Sequence, residues 1–172
     1  MAIRTKTYIA GDWTGDRDLI DQIYKWNDSS RWALNFTDAH ALTQARDTSL
    51  NCSIKKSLWE RLESSKTFVL VVGLDTLGLR AGSCAYCNDY RGLSRLCRRG
   101  HSIDLRSYVQ YECEYAAKRI GRIVVLYNCS YVEKGLCPDP LRDCGVHLPA
   151  YRINEDYSAT WLYQDIKKAI CG

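Results

Sequence analysis

The sequence predicts an α/β fold, a three-layer sandwich in which helices cover both faces of a mostly parallel sheet of about five strands. The first observation behind this prediction is a pair of similar apolar runs, Thr67–Val72 and Arg122–Tyr127. Continuous runs rich in β-branched residues are typical of parallel strands that are covered on both faces. The second observation is that strand-like and helix-like segments alternate along the chain, which favours parallel strands joined by right-handed crossovers.

The chain before Thr67 is predicted to hold two strands and two helices. A strand over Thr5–Ala10 is followed by a helix from about residue 16 to residue 27, in which apolar residues recur at helical spacing. Residues 31–36 are predicted as the second strand. The second helix is predicted to be capped by Asn51 or Ser53 and to end near residue 64. Its inward side chains are predicted to be Ile54, Leu58, Trp59 and Leu62.

The chain after Val72 is predicted to hold two further helices. The first covers residues 107–118 and leads directly into the strand Arg122–Tyr127. A long loop over residues 128–150 follows, and a last helix covers about residues 157–170. The apolar stripe of the helix over 107–118 consists of Val109, Cys113, Ala116, Ala117 and Ile120. The last helix is predicted to turn Trp161, Leu162, Ile166 and Ile170 inward.

Length and composition favour a single soluble domain over residues 1–172, with a cysteine-containing insertion at about residues 79–104. Hydrophobic residues make up 46% of the chain and charged residues 26%, which is typical of globular proteins. The net charge of +4 is small and the basic residues are scattered, so we expect no specific nucleic-acid partner. The chain has neither an apolar run of membrane-spanning length nor the pattern of a signal peptide, so we expect a cytoplasmic protein without a membrane partner.

Four residues that can bind a metal lie close together in the predicted insertion. Cys84 and Cys87 form a CxxC pair, and after nine intervening residues Cys97 and His101 form a CxxxH pair. Two close pairs of this kind can hold a tetrahedral zinc ion, and four protein ligands would make the site structural. The alternative is a set of reduced thiols packed beneath the loop, with Cys84 and Cys87 as a redox pair. The chain has nine cysteines, and this odd number argues against a closed disulfide framework.

Glu112 is the unusual charged residue of the helix over 107–118. It lies at the margin of the apolar stripe, one turn after Tyr108 and about one turn before Tyr115. Burial between aromatic rings would raise the pKa of this carboxyl and would suit catalysis or ribose binding. The alternative is a glutamate at the boundary of the stripe that reaches solvent.

Several polar or aromatic residues follow the predicted strands, where ligands of open parallel sheets bind. Asp12 and Trp13 follow the first strand, and Asp38 follows the second. The helix that carries Glu112 is predicted to begin at the same rim, which is the edge of the sheet at the carboxyl ends of its strands. The glycine motifs of dinucleotide folds and P-loops are missing from the sequence.

Four segments together resemble the bacterial TIR-like family, particularly the TIR proteins of Thoeris-type antiphage systems. They are TYIAGDW (7–13), FTDA (36–39), IKKSLWERLESSKTFVLVVGLDT (54–76) and SYVQYECEYAAKRIGRIVVLYN (107–128). The resemblance implies a flavodoxin-like or TIR-like fold. TIR enzymes cleave NAD+ with a glutamate in a Ser-x-x-x-x-Glu setting, which Ser107 and Glu112 match, with the aromatic Tyr108 after the serine.

The resemblance implies an NAD+ glycohydrolase or ADP-ribosyl cyclase of antiphage defence, with Glu112 as the catalytic residue. The substrate-binding residues it implies are Trp13, Asp12, Asp38, Tyr108 and Ser107. NAD+ would be the substrate, no cofactor would be required, and a cyclic or linear ADP-ribose would signal to a separate effector protein. The chain could form a homo-oligomer. The alternative function is that of a non-enzymatic TIR-like adaptor. The loop over 37–50 lacks the Arg-Asp-Pro-Gly type of motif of receptor TIR domains, and the cysteine-containing insertion is absent from the minimal TIR fold.

Overall fold

A central sheet of five parallel strands organises the computed structural model, which describes residues 5–34, 36–38 and 50–172. The strands in chain order are β1 (Thr5–Ala10), β2 (Phe36–Asp38), β3 (Thr67–Val72), β4 (Tyr90–Arg91), β5 (Leu96–Cys97), β6 (Arg122–Tyr127), β7 (Val146–Pro149), β8 (Tyr151–Ile153) and β9 (Ala159–Trp161). The helices are α1 (Arg17–Asp28), α2 (Asn51–Glu63), α3 (Tyr108–Arg119) and α4 (Tyr163–Cys171). The main sheet has the order β2-β1-β3-β6-β7, while β4–β5 and β8–β9 form separate antiparallel pairs.

Helices cover both faces of this sheet, as predicted. On one face, α2 and α3 pack against side chains such as Tyr8, Phe68 and Val125. On the other face, α1 and α4 pack against side chains such as Ile9 and Val69. All six residues of β3 are buried, because this strand lies between β1 and β6 and under both helical layers. The predicted α/β sandwich is therefore confirmed.

The second strand lies later in the chain than predicted. Residues 31–32 form a turn, and β2 starts only at Phe36. The Ser29 hydroxyl accepts hydrogen bonds from the backbone N–H groups of Arg31 and Trp32, both at 3.2 Å, which turns the chain there. The Asn27 side chain then bonds both backbone groups of Phe36, at 3.0 and 3.1 Å, and ties β2 to the end of α1.

The end of the chain contains strands where a loop and a helix were predicted. The predicted loop over 128–150 holds β7, which pairs with β6 at the edge of the main sheet. The predicted helix over 157–170 begins only at Tyr163, because β9 pairs with β8. A polar turn closes this hairpin, with Tyr157 at φ +63° and the Asn154 side chain bonded to the hydroxyls of Ser158 and Thr160.

Helix α2 differs from its prediction in one inward residue and in its cap. Trp59 is 44% exposed, whereas Leu58 and Leu62 are buried. Neither Asn51 nor Ser53 caps the helix, which begins after Leu50 without a side-chain cap. In the described part of the chain, no helix is long and apolar enough to cross a membrane.

Candidate active site

Glu112 lies between α3 and the sheet, where it is only 5% exposed. The Tyr8 hydroxyl of β1, which comes 104 positions earlier, donates a hydrogen bond to Glu112 Oε1. Tyr8 is itself fully buried and stacks on Phe68 of β3, with ring centroids 5.7 Å apart. The carboxyl is therefore held in the packed layer, and the alternative of a glutamate that reaches solvent is wrong.

The environment of Glu112 favours its protonated form. Burial raises the pKa of this carboxyl to about 7, although the Tyr8 hydrogen bond and the charge of Arg61 act in the opposite direction. Arg61 is a buried residue of α2, and its guanidinium donates to Ser57 Oγ at 3.2 Å. A carboxyl with a pKa near 7 changes its charge within the working range of an acid–base catalyst at neutral pH.

Ser107 fixes where α3 begins and hence where Glu112 lies. Its Oγ accepts a hydrogen bond from the Gln110 backbone N–H at 3.2 Å, and its own N–H donates to Gln110 Oε1 at 2.9 Å. This reciprocal capping box satisfies two backbone donors that the helix cannot bond internally. Ser107 is 2% exposed, so its position in the Ser-x-x-x-x-Glu setting is that of a buried helix cap.

Tyr108 joins the start of α3 to α2 and to the insertion. Its hydroxyl donates to Asn51 Oδ1 at 3.1 Å, and burial raises its pKa to about 12. Its ring packs on Gly82, where an added Cβ would lie 2.4 Å from the ring and where φ is +92°. The Tyr115 hydroxyl donates to Glu63. The aromatic group bonded to Glu112 is thus Tyr8 on β1, which sequence spacing within the helix did not indicate.

The rim residues after β1 face a different layer from Glu112. The Asp12 carboxylate accepts a hydrogen bond from the Thr14 N–H at 2.9 Å and shapes the loop. Trp13 is 44% exposed, and its ring centroid is 6.0 Å from that of Tyr24 on α1. Asp38 ends β2 opposite Thr7 of β1, and its side chain lies outside the described residues. The structure thus brings Ser107, Tyr108 and Glu112 together on α3, with Trp13 towards the α1 layer.

Sequence analysis missed a second buried carboxyl at the rim. Asp16 is 4% exposed, and burial raises its pKa. The Asn128 side-chain amide, just after β6, donates to Asp16 and to Asp18 at 3.0 Å each. A Cβ on Gly73, just after β3, would lie 2.1 Å from an Asp16 oxygen, so a side chain at this position would displace the Asp16 carboxyl. The sequence signal that could have indicated this cluster was a polar residue or a glycine directly after each predicted strand.

The four predicted zinc ligands all line one small cavity. Its volume is about 20 Å³, and its lining includes Cys84, Cys87, Cys97 and His101 as well as Cys52 from α2. The thiols are free. Within residues 5–34, 36–38 and 50–172, no three His, Cys, Asp or Glu side chains are already arranged to hold a metal ion. The structure thus gathers the predicted ligands without showing a preformed coordination shell.

Comparison with known protein families finds a model that matches the first part of the chain. Residues 8–81, which run from β1 past β3, match the family model of the TIR-like domain of the Thoeris protein ThsB. The matched residues end before α3 and therefore do not include Glu112. No curated protein matches the chain. The ThsB match over residues 8–81 and the parallel sheet between two helical layers confirm the resemblance to the TIR-like family of Thoeris systems that was drawn from the sequence.

Proposed function

We propose that the chain consumes NAD+ in antiphage defence by cleaving the bond between nicotinamide and ribose, with Glu112 as the catalytic residue. The observation that carries the proposal is a buried carboxyl with a pKa of about 7, held by the Tyr8 hydroxyl and located five residues after a serine helix cap. The ThsB match supports the family part of the proposal. The residue role comes from the Ser107–Glu112 spacing, since the match ends before α3.

The chemistry requires a carboxylate close to the reacting ribose. When the bond from ribose C1′ to the pyridinium nitrogen breaks, nicotinamide leaves with the electron pair and positive charge develops on the ribose. The carboxylate of Glu112 would stabilise this charge, and its effect is strong because little water surrounds it. Water would then attack C1′ to give linear ADP-ribose, or an adenine nitrogen of the same molecule would attack to give a cyclic product.

The burial of Glu112 sets a condition on this mechanism. At 5% exposure the carboxyl cannot touch a ribose until the start of α3 or its neighbours move. The resting protein would therefore turn over NAD+ slowly, and a trigger or self-assembly would open the site. This condition also defines how the activity should be assayed.

The first prediction compares two glutamates of α3. Glu112→Gln keeps the shape of the side chain and removes its charge, so nicotinamide release should fall by about 100-fold or more. Glu114→Gln is the matched control, because Glu114 lies on the same helix and pairs with Arg106 at 2.7 Å on its outer side. We expect this control to release nicotinamide within about twofold of the wild type, since the pair is partly exposed and lies away from Glu112, and such ion pairs contribute little.

The assay uses purified protein with NAD+, at low and high protein concentration and with or without lysate from infected cells. Equal release by Glu112→Gln and wild type would refute the catalytic role of Glu112. If the wild type releases no nicotinamide under any of these conditions, the enzyme proposal fails.

The second candidate is a non-enzymatic TIR-like adaptor. The observation that favours it is the same burial, because a carboxyl bonded to Tyr8 inside a packed layer is compatible with a purely structural role. Defence in cells that carry the complete system separates the two functions. An adaptor would keep its defence after Glu112→Gln, whereas an enzyme would lose it although the variant folds.

A further inference from the structure

The segment over residues 84–106 has regular structure without a hydrophobic core of its own. The structure describes all of these residues, and none of their side chains is buried. The segment nevertheless contains a helical turn over Cys84–Tyr86 and the hairpin of β4 and β5. Ordering a chain costs conformational entropy, which buried apolar side chains normally offset. Another interaction must therefore hold this segment, and metal binding is a common one in small loops.

The backbone presents the two ligand pairs from two tight turns. The Cys87 N–H donates to the Cys84 carbonyl at 3.0 Å, and the Gly100 N–H donates to the Cys97 carbonyl at 3.0 Å. Gly100 has φ +73°, a conformation that suits glycine at the end of such a turn. Structural zinc sites commonly receive their four ligands as two closely spaced pairs.

The hairpin brings these two turns together. Tyr90 of β4 pairs with Cys97 of β5, so the second turn lies beside the residues that follow Cys87. The Arg98 N–H donates to the Asp89 carbonyl at 2.8 Å and closes the pairing. As a result, Cys84, Cys87, Cys97 and His101 line one cavity of about 20 Å³, which has room for about one water molecule or ion.

We propose that Cys84, Cys87, Cys97 and His101 bind one structural zinc ion in this cavity. Their backbone turns are in place, and closing the tetrahedral shell requires rotation of the side chains, since the four are not yet arranged as ligands. Binding converts three thiols to thiolates and releases three protons, while His101 binds as neutral imidazole. The complex of Zn²⁺ with three thiolates has a net charge of −1.

Nearby basic residues balance this charge. Arg91, Arg95, Arg98 and Arg99 all belong to the hairpin or flank it. Arg99 already pairs with Asp89 at 2.7 Å, which leaves the other three side chains near the site as a local excess of positive charge. A thiolate-rich zinc centre is more stable beside such a cluster than beside acidic residues.

The zinc centre would also fix the start of α3. The Cys84 N–H donates to the Asp104 carbonyl at 2.9 Å, and the Asp104 N–H donates to Cys84 Sγ at 3.4 Å, so the two ends of the segment meet. Directly before Cys84, the Ser83 carbonyl accepts from Asn51 at 3.1 Å. The Tyr108 N–H, at the first residue of α3, donates to the Ala81 carbonyl at 2.8 Å. This inference does not depend on the proposed enzymatic function.

Metal content of the whole chain, purified under reducing conditions without chelators, tests the proposal. We expect about one zinc per chain in the wild type and below about 0.2 in the Cys87→Ser/Cys97→Ser variant. Cys171→Ser is the control, because Cys171 lies at the end of α4 and outside the segment, and it should keep about one zinc per chain. A wild type with almost no zinc, or a double variant that keeps it, would overturn the proposal.

Further measurements test the proposal if the double variant fails to fold, and they test whether these four residues are the ligands. Wild-type protein produced with cobalt in place of zinc should show the visible bands of tetrahedral cobalt and thiolate charge transfer; octahedral bands alone would refute the site. Cys52→Ser should keep the zinc and His101→Ala should lose it. The opposite result would overturn this ligand set, because Cys52 lines the same cavity. A disulfide between Cys84 and Cys87 in fresh protein would favour the redox pair instead.

Discussion

The hydrogen bond from Tyr8 fixes the orientation of the Glu112 carboxyl inside a helix–sheet interface, and burial in this interface raises the pKa of the carboxyl to about 7. Burial and the hydrogen bond oppose each other. Burial disfavours the carboxylate, whereas the donated hydrogen bond favours it. Removing either contribution should therefore move the pKa in a known direction.

At the residue scale, we predict that Tyr8→Phe shifts the pH dependence of NAD+ cleavage. If the carboxylate of Glu112 is the active form, wild-type kcat/KM, which reports the pKa of the free protein, should rise with pH through about 7. Without the Tyr8 hydroxyl the pKa of Glu112 rises further, so the midpoint of the variant should lie at higher pH. Steady-state kinetics between pH 5 and 9 measure both midpoints. A profile that stays in place in Tyr8→Phe would contradict the role of this hydrogen bond.

Sequence reasoning identified Glu112 but not its partner. Position at the edge of an apolar stripe and the Ser-x-x-x-x-Glu spacing are local properties, which one helix displays. The bond to Tyr8 joins residues 104 positions apart, and it depends on which strand lies beneath α3. The inward direction of Tyr8 follows from the alternation of side chains along β1, yet the residue it meets there could not be deduced without the packing of the helix.

At the element scale, α3 depends on its capping box. We predict that Ser107→Ala lowers the free energy of unfolding by about 1 kcal/mol, because the Gln110 backbone N–H loses the Ser107 hydroxyl as its partner. Ser30→Ala is the matched control, since Ser30 is exposed, and it should change the stability by less than about 0.5 kcal/mol. Urea unfolding curves measure both effects. Equal stability of the two variants would show that the cap contributes little.

Strands that helices cover on both faces were predicted more accurately than short strands that are only partly buried. The bounds of β1, β3 and β6 were predicted correctly, and for β3 and β6 the reason is that central strands beneath helical layers leave continuous apolar runs. The short strands β7 and β9 were missed because each has few residues and partial burial. The last helix was extended backwards through Trp161, since an aromatic residue next to a leucine fits a strand as well as a helix.

At the scale of the whole molecule, the buried Glu112 should make global stability depend on pH. Its pKa is about 7 in the folded state and 4.5 when unperturbed. Between these values the folded chain binds more protons than the unfolded chain, so the stability contributed by this group is present below pH 4.5 and is lost as pH rises through 7. The complete shift corresponds to about 3 kcal/mol.

We therefore predict that wild-type protein loses about 2 to 3 kcal/mol more stability between pH 5 and pH 8 than Glu112→Gln does. The glutamine can still accept the hydrogen bond from Tyr8 but does not titrate. Denaturant unfolding of both proteins at several pH values measures the difference, in which contributions from other groups such as Asp16 cancel. Parallel stability curves would mean that Glu112 is not desolvated in solution.

The outer edge of β7 limits how copies of the chain can associate. The Ala150 N–H bonds inward to the Tyr127 carbonyl at 2.8 Å, and because bonding direction alternates along a parallel strand, positions 147 and 149 of β7 point outward. Position 149 is a proline without an N–H group, so His147 supplies the outward backbone donor of this four-residue strand. A further strand at β7 would therefore receive a single backbone donor, which disfavours growth of the sheet by strand addition at this edge. Helix and loop surfaces are the more favourable contacts for association at this side of the molecule.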